Sequence, residues 1–147
     1  PLKYYLRRLL ESEDRADDAA QATWLLALRN IRKLRQLGAF RSWRFTIARN
    51  EALKQLAAAK RDLLLLAHDL DASEISSDEP EFGAEDAHLL HKAMDRIHPI
   101  HREVLVLRYI EEMSYEQIAV VVACKIGTVR SRMHNAKRAV RKLLEGD

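Results

Sequence analysis

A chain of 147 residues carrying 25 Lys and Arg, 22 Asp and Glu, 4 Gly and 3 Pro is long enough for one ordinary domain or two very small ones, and a large catalytic cavity is not expected. Its single cysteine, Cys124, excludes an internal disulfide framework or a multi-thiolate metal site within one chain and fits a reducing cytoplasm. The net charge of +3 averages a strong partition: 14 basic against 6 acidic side chains over residues 1–61, none against 9 over 62–91, and 11 against 7 over 92–147.

Two basic blocks around an acidic one suit two modules that each touch a polyanion, although charge runs alone also describe solvated faces. Ala, Leu, Arg and Glu dominate and β-branched alternation is sparse, so an all-α protein is expected. No apolar run approaches the roughly 20 residues of a membrane span, since "LLLLA" at 63–67 is far too short. No signal-peptide pattern is visible, and the start at Pro1 leaves upstream residues open.

Residues 3–11 read as the end of a helix, after which Ser12, Asp14 and Asp17 can cap and charge the start of another. That helix is expected from about Arg15 to Leu37, ahead of Gly38, with a core stripe of Ala16, Ala20, Thr23, Ala27, Ile31 and Leu34. Trp24, Leu25, Leu26 and Leu28 make its middle apolar nearly all round, so it buries a second side in a bundle or against a partner. A second long helix follows over residues 39–61, with Phe45, Ala48, Ala52 and Leu56 at helical steps and Arg41, Arg44, Arg49, Lys54, Lys60 and Arg61 elsewhere.

The segment "DLDASEISSDEPEFGAED" is too polar to fold alone and reads as a linker, whose charges suggest that it folds back on the basic modules. The expected organisation is a helical module over residues 1–63, an acidic flexible linker over 64–87 and a second helical module over 88–147. Within the last, a helix to about Ile97, a break at Pro99 and a helix through "REVLVLRYI" precede the most informative stretch.

A helix-turn-helix needs a small residue where its helices cross, a tight turn four residues later and an apolar residue six beyond that. Ala119, Ala123 and Val129 stand at this spacing. Ser114 and Gln117 form a capping-box pattern for the first helix. The second helix presents Thr128, Arg130, Ser131, Arg132, His134, Lys137 and Arg138, with no acidic residue between Lys125 and Leu144. Such a helix fits the major groove, where Arg reaches guanine edges and Ser, Thr and Lys hold phosphates. An ordinary helical hairpin with a solvated face is the plainer alternative. Ala123 departs from the Gly that a positive φ at the turn favours, at a cost of about 1 kcal/mol.

The stretch "MSYEQIAVVVACKIGTVRSRMHNAKRAVRKLL" resembles region 4 of the extracytoplasmic-function bacterial sigma factors, and "DRADDAAQATWLLALRNI" with "AFRSWRFTIARNEAL" resembles their region 2, in the same order. The resemblance implies two small helical domains that bind core RNA polymerase and direct promoter recognition and transcription initiation. It assigns Asp17, Asp18, Gln21, Trp24 and Leu28 to the clamp helices of the polymerase beta-prime subunit. Asp17, Gln21, Trp24 and Leu28 share one helical face, though Trp24 also suits a bundle core.

It further assigns Arg41, Trp43, Arg49, Asn50 and Lys54 to the minus-ten element as the strands separate; Trp43 is equally plausible as core. A basic track with aromatic stacking is what single-stranded DNA demands. Arg44 departs from the family's usual Leu. Region 4 likeness gives the minus-thirty-five element to Lys125, Thr128, Arg130, Ser131, His134, Lys137 and Arg138, with Arg130 foremost and Asn135 in place of a commonly basic residue. Family members work in the bacterial cytoplasm at the nucleoid, and an anti-sigma factor commonly covers these faces.

An enzyme reading would start from the His pairs "HLLH" and "HPIH", but no Glu-bearing zinc motif, glycine-rich phosphate loop, nucleophile elbow or triad accompanies them. No metal, cofactor or catalysis is expected. The competing reading is a stand-alone helix-turn-helix regulator that binds duplex operators as a dimer.

Overall fold

The computed structural model describes residues 2–56 and 87–146, and within them every regular element is helical. The acidic linker of the sequence reading and the end of the second basic helix lie outside those residues. In chain order the α-helices are α1 (Leu2–Leu10), α2 (Glu13–Asn30), α3 (Phe40–Gln55), α4 (Ala87–Met94), α5 (Pro99–Leu105), α6 (Tyr115–Val121) and α7 (Ile126–Glu145).

The first three helices pack on one another, and α7 collects α4, α5 and α6. In the first module the apolar stripes of Tyr5, Leu6 and Leu10 on α1, Ala16 and Ala19 on α2, and Phe45, Ala48 and Ala52 on α3 face inward. Tyr5 and Phe45 meet edge to face, with ring centroids 5.3 Å apart. In the second module Ile100, Leu105, Ile118, Val129, Met133, Ala136 and Val140 close the core. The two sets are continuous: the buried residues of both modules form one cluster, joined where α1 meets α5 and α3 meets α6.

Local chemistry sets the helix ends. Ser12 caps α2 by accepting from the Arg15 N–H at 3.3 Å. The helix stops at Asn30, seven residues short of the expected Leu37. There the Asn30 amide donates back to the Leu26 carbonyl at 2.9 Å, and the chain continues through short 3-10 turns at Ile31–Lys33 and Leu37–Ala39. The expected stripe fails in the same place: Thr23 and Ala27 are buried, Ile31 is exposed, and Ala19 rather than Ala20 lies fully inside. Helical periodicity propagates only while a neighbour covers the stripe, and here the cover ends at Ala27. Pro99 does not simply break a helix; it starts α5, with His98 as the cap accepting from Ile100 N–H.

Three non-glycine residues hold φ near 55°, Glu11, Glu112 and Ala123, each just beyond a helical segment. After α6 the Cys124 N–H returns to the Ala119 carbonyl at 3.1 Å and the Ala123 N–H to Val120, a Schellman end with alanine where glycine is usual. After α5 the chain widens into a π turn over Val106–Ile110, closed by the Glu111 N–H on the Val106 carbonyl. That extra residue per turn rotates Glu111 inward, where it is buried.

Candidate nucleic-acid interface

Three surfaces carry the residues singled out by sequence. On α2, Ala16, Ala19, Thr23 and Ala27 face the core, which leaves Asp17, Asp18, Gln21, Trp24 and Leu28 toward the outside. Trp24 is 44% and Leu28 70% exposed, and with exposed Leu25 and Ile31 they form an apolar ridge bordered by carboxylates. Asp17 pairs with Lys3 at 2.8 Å. The Arg44 guanidinium stacks on the Trp24 ring at 5.2 Å, with Phe40 at 5.6 Å and Phe45 at 5.4 Å around it. Burial pushes its pKa down, because desolvation disfavours the charged form.

On α3 the predicted residues separate. Asn50 and Lys54 are exposed, the latter paired with Glu51 at 3.1 Å. Trp43 is half-buried, its ring 6.0 Å from Phe40. Arg41 and Arg49 turn toward the second module instead. Arg41 donates to Glu111 at 3.2 Å. Arg49, its side chain only 12% exposed, donates through Nε to Glu103 Oε1 at 2.6 Å. The same oxygen accepts the Tyr5 hydroxyl at 2.6 Å. The Glu103 charge raises the Arg49 pKa further, against the opposing effect of burial, while burial and then Glu103 push the Tyr5 hydroxyl well up.

On α7, Lys125, Arg130 and Arg138 are exposed, and Thr128 and His134 half-buried. Ser131 and Lys137 point the other way. Ser131 donates to the Gly127 carbonyl at 3.2 Å, and Lys137 is 6% exposed with its ammonium 5.9 Å from the Tyr109 ring centre. The expectation that both touch DNA is therefore at odds with where they sit. The spacing held the signal: Val129, Met133, Ala136 and Val140 mark the inward stripe, and 137 lies eight residues after 129, on that stripe. Cys124 is half-buried, its thiol directed at the Val122 carbonyl. Ser114 and Gln117 form the capping box in both directions, at 3.1 and 3.0 Å.

Sequence reasoning did not single out Glu103, Glu111, Tyr5 or Arg102. Arg102 is buried and stitches the modules by donating to the Arg8 carbonyl and to Glu11, both at 3.2 Å, while its Nε donates to the Met94 carbonyl of its own module at 2.8 Å. Arg8 pairs with Asp95, and Tyr4 meets His91 at 2.7 Å. The signal was a charged Arg-Glu pair opening the apolar run "REVLVL", since such charges seldom enter a core unpaired. Among the described residues no cluster of His, Cys, Asp and Glu is placed to hold a metal, and no helix is long and apolar enough to cross a membrane.

Similarity to known proteins follows the same two parts. Residues 1–62 match the family model of Sigma-70 region 2, and residues 87–140 that of Sigma-70, region 4. The chain is 32% identical over 149 residues to the RNA polymerase sigma-H factor of Pseudomonas aeruginosa, covering 94% of this chain and 77% of that protein. It is 31% identical over 150 residues to the ECF RNA polymerase sigma factor EcfG of Rhodopseudomonas palustris, covering 99% and 80%. Among solved structures, the sigma factor RpoE of Bartonella quintana, crystallised with the anti-sigma factor NepR, is similar with a TM-score of 0.71 at 26% identity, covering 99% of this chain and 91% of that one.

Proposed function

Because this chain belongs to the extracytoplasmic-function sigma factors of bacterial RNA polymerase, we propose a residue-level division of the promoter-directing work that such a factor performs. The protein binds core RNA polymerase and directs it to promoter DNA. Residues 1–63 form the region 2 module, residues 88–147 the region 4 module, and residues 64–87 the link between them.

The α2 ridge of Trp24 and Leu28, with Asp17, Asp18 and Gln21 beside it, docks on the clamp helices of beta-prime. One observation carries this: two large apolar side chains stay out of the core beside a row of acidic and amide groups, the composition of a protein-binding hot spot. Trp43, Asn50 and Lys54, joined by Arg41 and Arg49, take the minus-ten element. Arg130 reads the minus-thirty-five element, while Lys125, Thr128, His134 and Arg138 hold it in place; Ser131 and Lys137 serve the interior of the module. An anti-sigma factor, such as the one bound by the Bartonella relative, is the partner suited to covering the ridge. The protein works in the cytoplasm at the nucleoid and supplies specificity to the polymerase's catalysis, with none of its own.

The test is titration of the labelled full chain with bacterial core RNA polymerase. Tight association that is lost on alanine substitution along the ridge is expected. A folded wild-type chain that fails to bind core, yet binds duplex operators as a dimer, would transfer the protein to the stand-alone regulators.

A further inference from the structure

We infer that Arg44 is a positioning residue for the polymerase-docking ridge, its guanidinium holding the Trp24 indole in the orientation that the ridge presents. The inference rests on the assignment of the α2 ridge to core RNA polymerase and adds to it a residue from the neighbouring helix α3.

The arrangement joins two helices at one ring. Trp24 comes from α2 and Arg44 from α3, and the guanidinium carbon lies over the indole, 5.2 Å from its centre. Phe40 at 5.6 Å and Phe45 at 5.4 Å close round the same cation, so three rings fix where it sits. Phe45 is fully buried in the core of the first module and anchors the group. Trp24, by contrast, is 44% exposed. An indole so far out of the core turns about its two side-chain bonds unless a neighbour holds it. With the guanidinium over one face, the other face and the outer edge remain for a partner.

Folding alone gives no reason for a cation at this position. The Arg44 Nε is buried with no hydrogen-bond partner among the described groups, and burial pushes the pKa down, so the charge is held against a desolvation cost. Other inward arginines are answered by oxygen: Arg49 by Glu103, and Arg102 by Glu11 and main-chain carbonyls. A leucine would fill the space beside Phe40 and Phe45 without that cost. It has neither the charge nor the plane with which to hold the face of an indole. What arginine adds at position 44 is the orientation of Trp24. Such preorganisation strengthens binding, because the partner need not immobilise the ring itself.

The experiment is a double-mutant cycle on the full chain: wild type, Arg44→Leu, Trp24→Ala and the two together, each titrated with bacterial core RNA polymerase and checked by circular dichroism. Arg44→Leu should weaken binding by about three- to ten-fold, the effect of immobilising one freed side chain. In the Trp24→Ala background the same substitution should change binding by less than about two-fold, because the ring through which Arg44 acts is gone. Equal losses in both backgrounds would overturn the inference, since Arg44 would then touch the polymerase itself or serve only the fold. Fluorine NMR of the chain labelled with fluorotryptophan reads the ring directly. The two tryptophans give two resonances, and the one lost in Trp24→Ala belongs to Trp24. That resonance should shift and narrow in Arg44→Leu; if it stays unmoved, the inference fails even where binding falls. If Arg44→Leu does not fold, Arg44→Lys, which keeps the charge without the planar stack, replaces it in the same cycle. A loss of about two- to three-fold is then expected in the wild-type background and none in the Trp24→Ala background, and no loss in either overturns the inference. Core binding by Trp24→Ala separates the two ideas: binding like wild type overturns the ridge assignment and the inference with it, whereas a clear loss there with additive effects of Arg44 overturns the inference alone.

Discussion

Truncating Trp24 to alanine should weaken binding to core RNA polymerase by about two orders of magnitude. The indole is 44% exposed; a tryptophan side chain covers on the order of 250 Å², so about 110 Å² remains for a partner to bury. At about 25 cal/mol per Å² that area is worth about 2.7 kcal/mol, or roughly a hundred-fold in Kd. The rest of the ring is already engaged with Arg44, which keeps Phe40 and Phe45 as neighbours after the truncation, so the module should remain folded. Leu28 supports the fold less, being 70% exposed, and Leu28→Ala should cost about ten-fold by the same reasoning. Fluorescence anisotropy of the labelled chain against core measures both, with circular dichroism as the folding check. If both variants fold like wild type and bind within about three-fold of it, the ridge is not the docking surface.

Arg130→Ala should remove about 1–3 kcal/mol of specific minus-thirty-five binding and relax discrimination at one base position. Holoenzyme titrations on single-base promoter variants measure this, and unchanged discrimination would move the reading role elsewhere on α7. Lys137→Ala should lower the melting temperature by about 2–4 °C, the equivalent of about 1 kcal/mol at this size, and leave the salt dependence of DNA binding alone; a slope shallower by about one unit would put Lys137 on a phosphate after all. Ala123→Gly should stabilise the chain by about 0.5–1 kcal/mol, because relief of the left-handed strain exceeds the added unfolded-state entropy. Denaturant unfolding tests that, and a less stable variant would contradict the φ of 55° at the turn. The Tyr5 hydroxyl is raised well above the ordinary value near 10, by burial and then by Glu103. The folded chain therefore holds this proton more tightly than the unfolded one, and the stability it confers is complete below about pH 10 and lost as pH rises toward the folded value. Tyr5→Phe should flatten the fall of unfolding free energy above pH 10 by up to about 1.4 kcal/mol per pH unit, and parallel profiles would refute the assignment.

What the sequence disclosed and what it withheld divide by range. The helical class, the Ser114–Gln117 capping box, the Ala123 turn and the stripe of Phe45, Ala48, Ala52 and Leu56 are written in neighbours a few residues apart, and the structure contains each of them. The end of α2 was misplaced because periodicity describes what a helix could bury, and only α1 and α3 decide how far burial extends. Lys137 lies inside for a related reason: it falls on the inward stripe, where the long methylene stem of a lysine can pack under a ring, a placement its charge alone does not disclose. The acidic partners of Arg49 and Arg41 were out of reach altogether: they lie 54 and 70 residues away in the chain, and nothing local marks them.

Charge counting placed the chain's internal polyanion in residues 62–91, while the second module as a whole is net basic. Net charge, however, governs steering over distances where solvent and salt screen, with a Debye length of about 8 Å at physiological ionic strength. Which partner an arginine meets is decided at contact, as by the single buried carboxylate 2.6 Å from Arg49. A module can thus be basic on the exposed face of α7 and acidic at the two points where it meets α3.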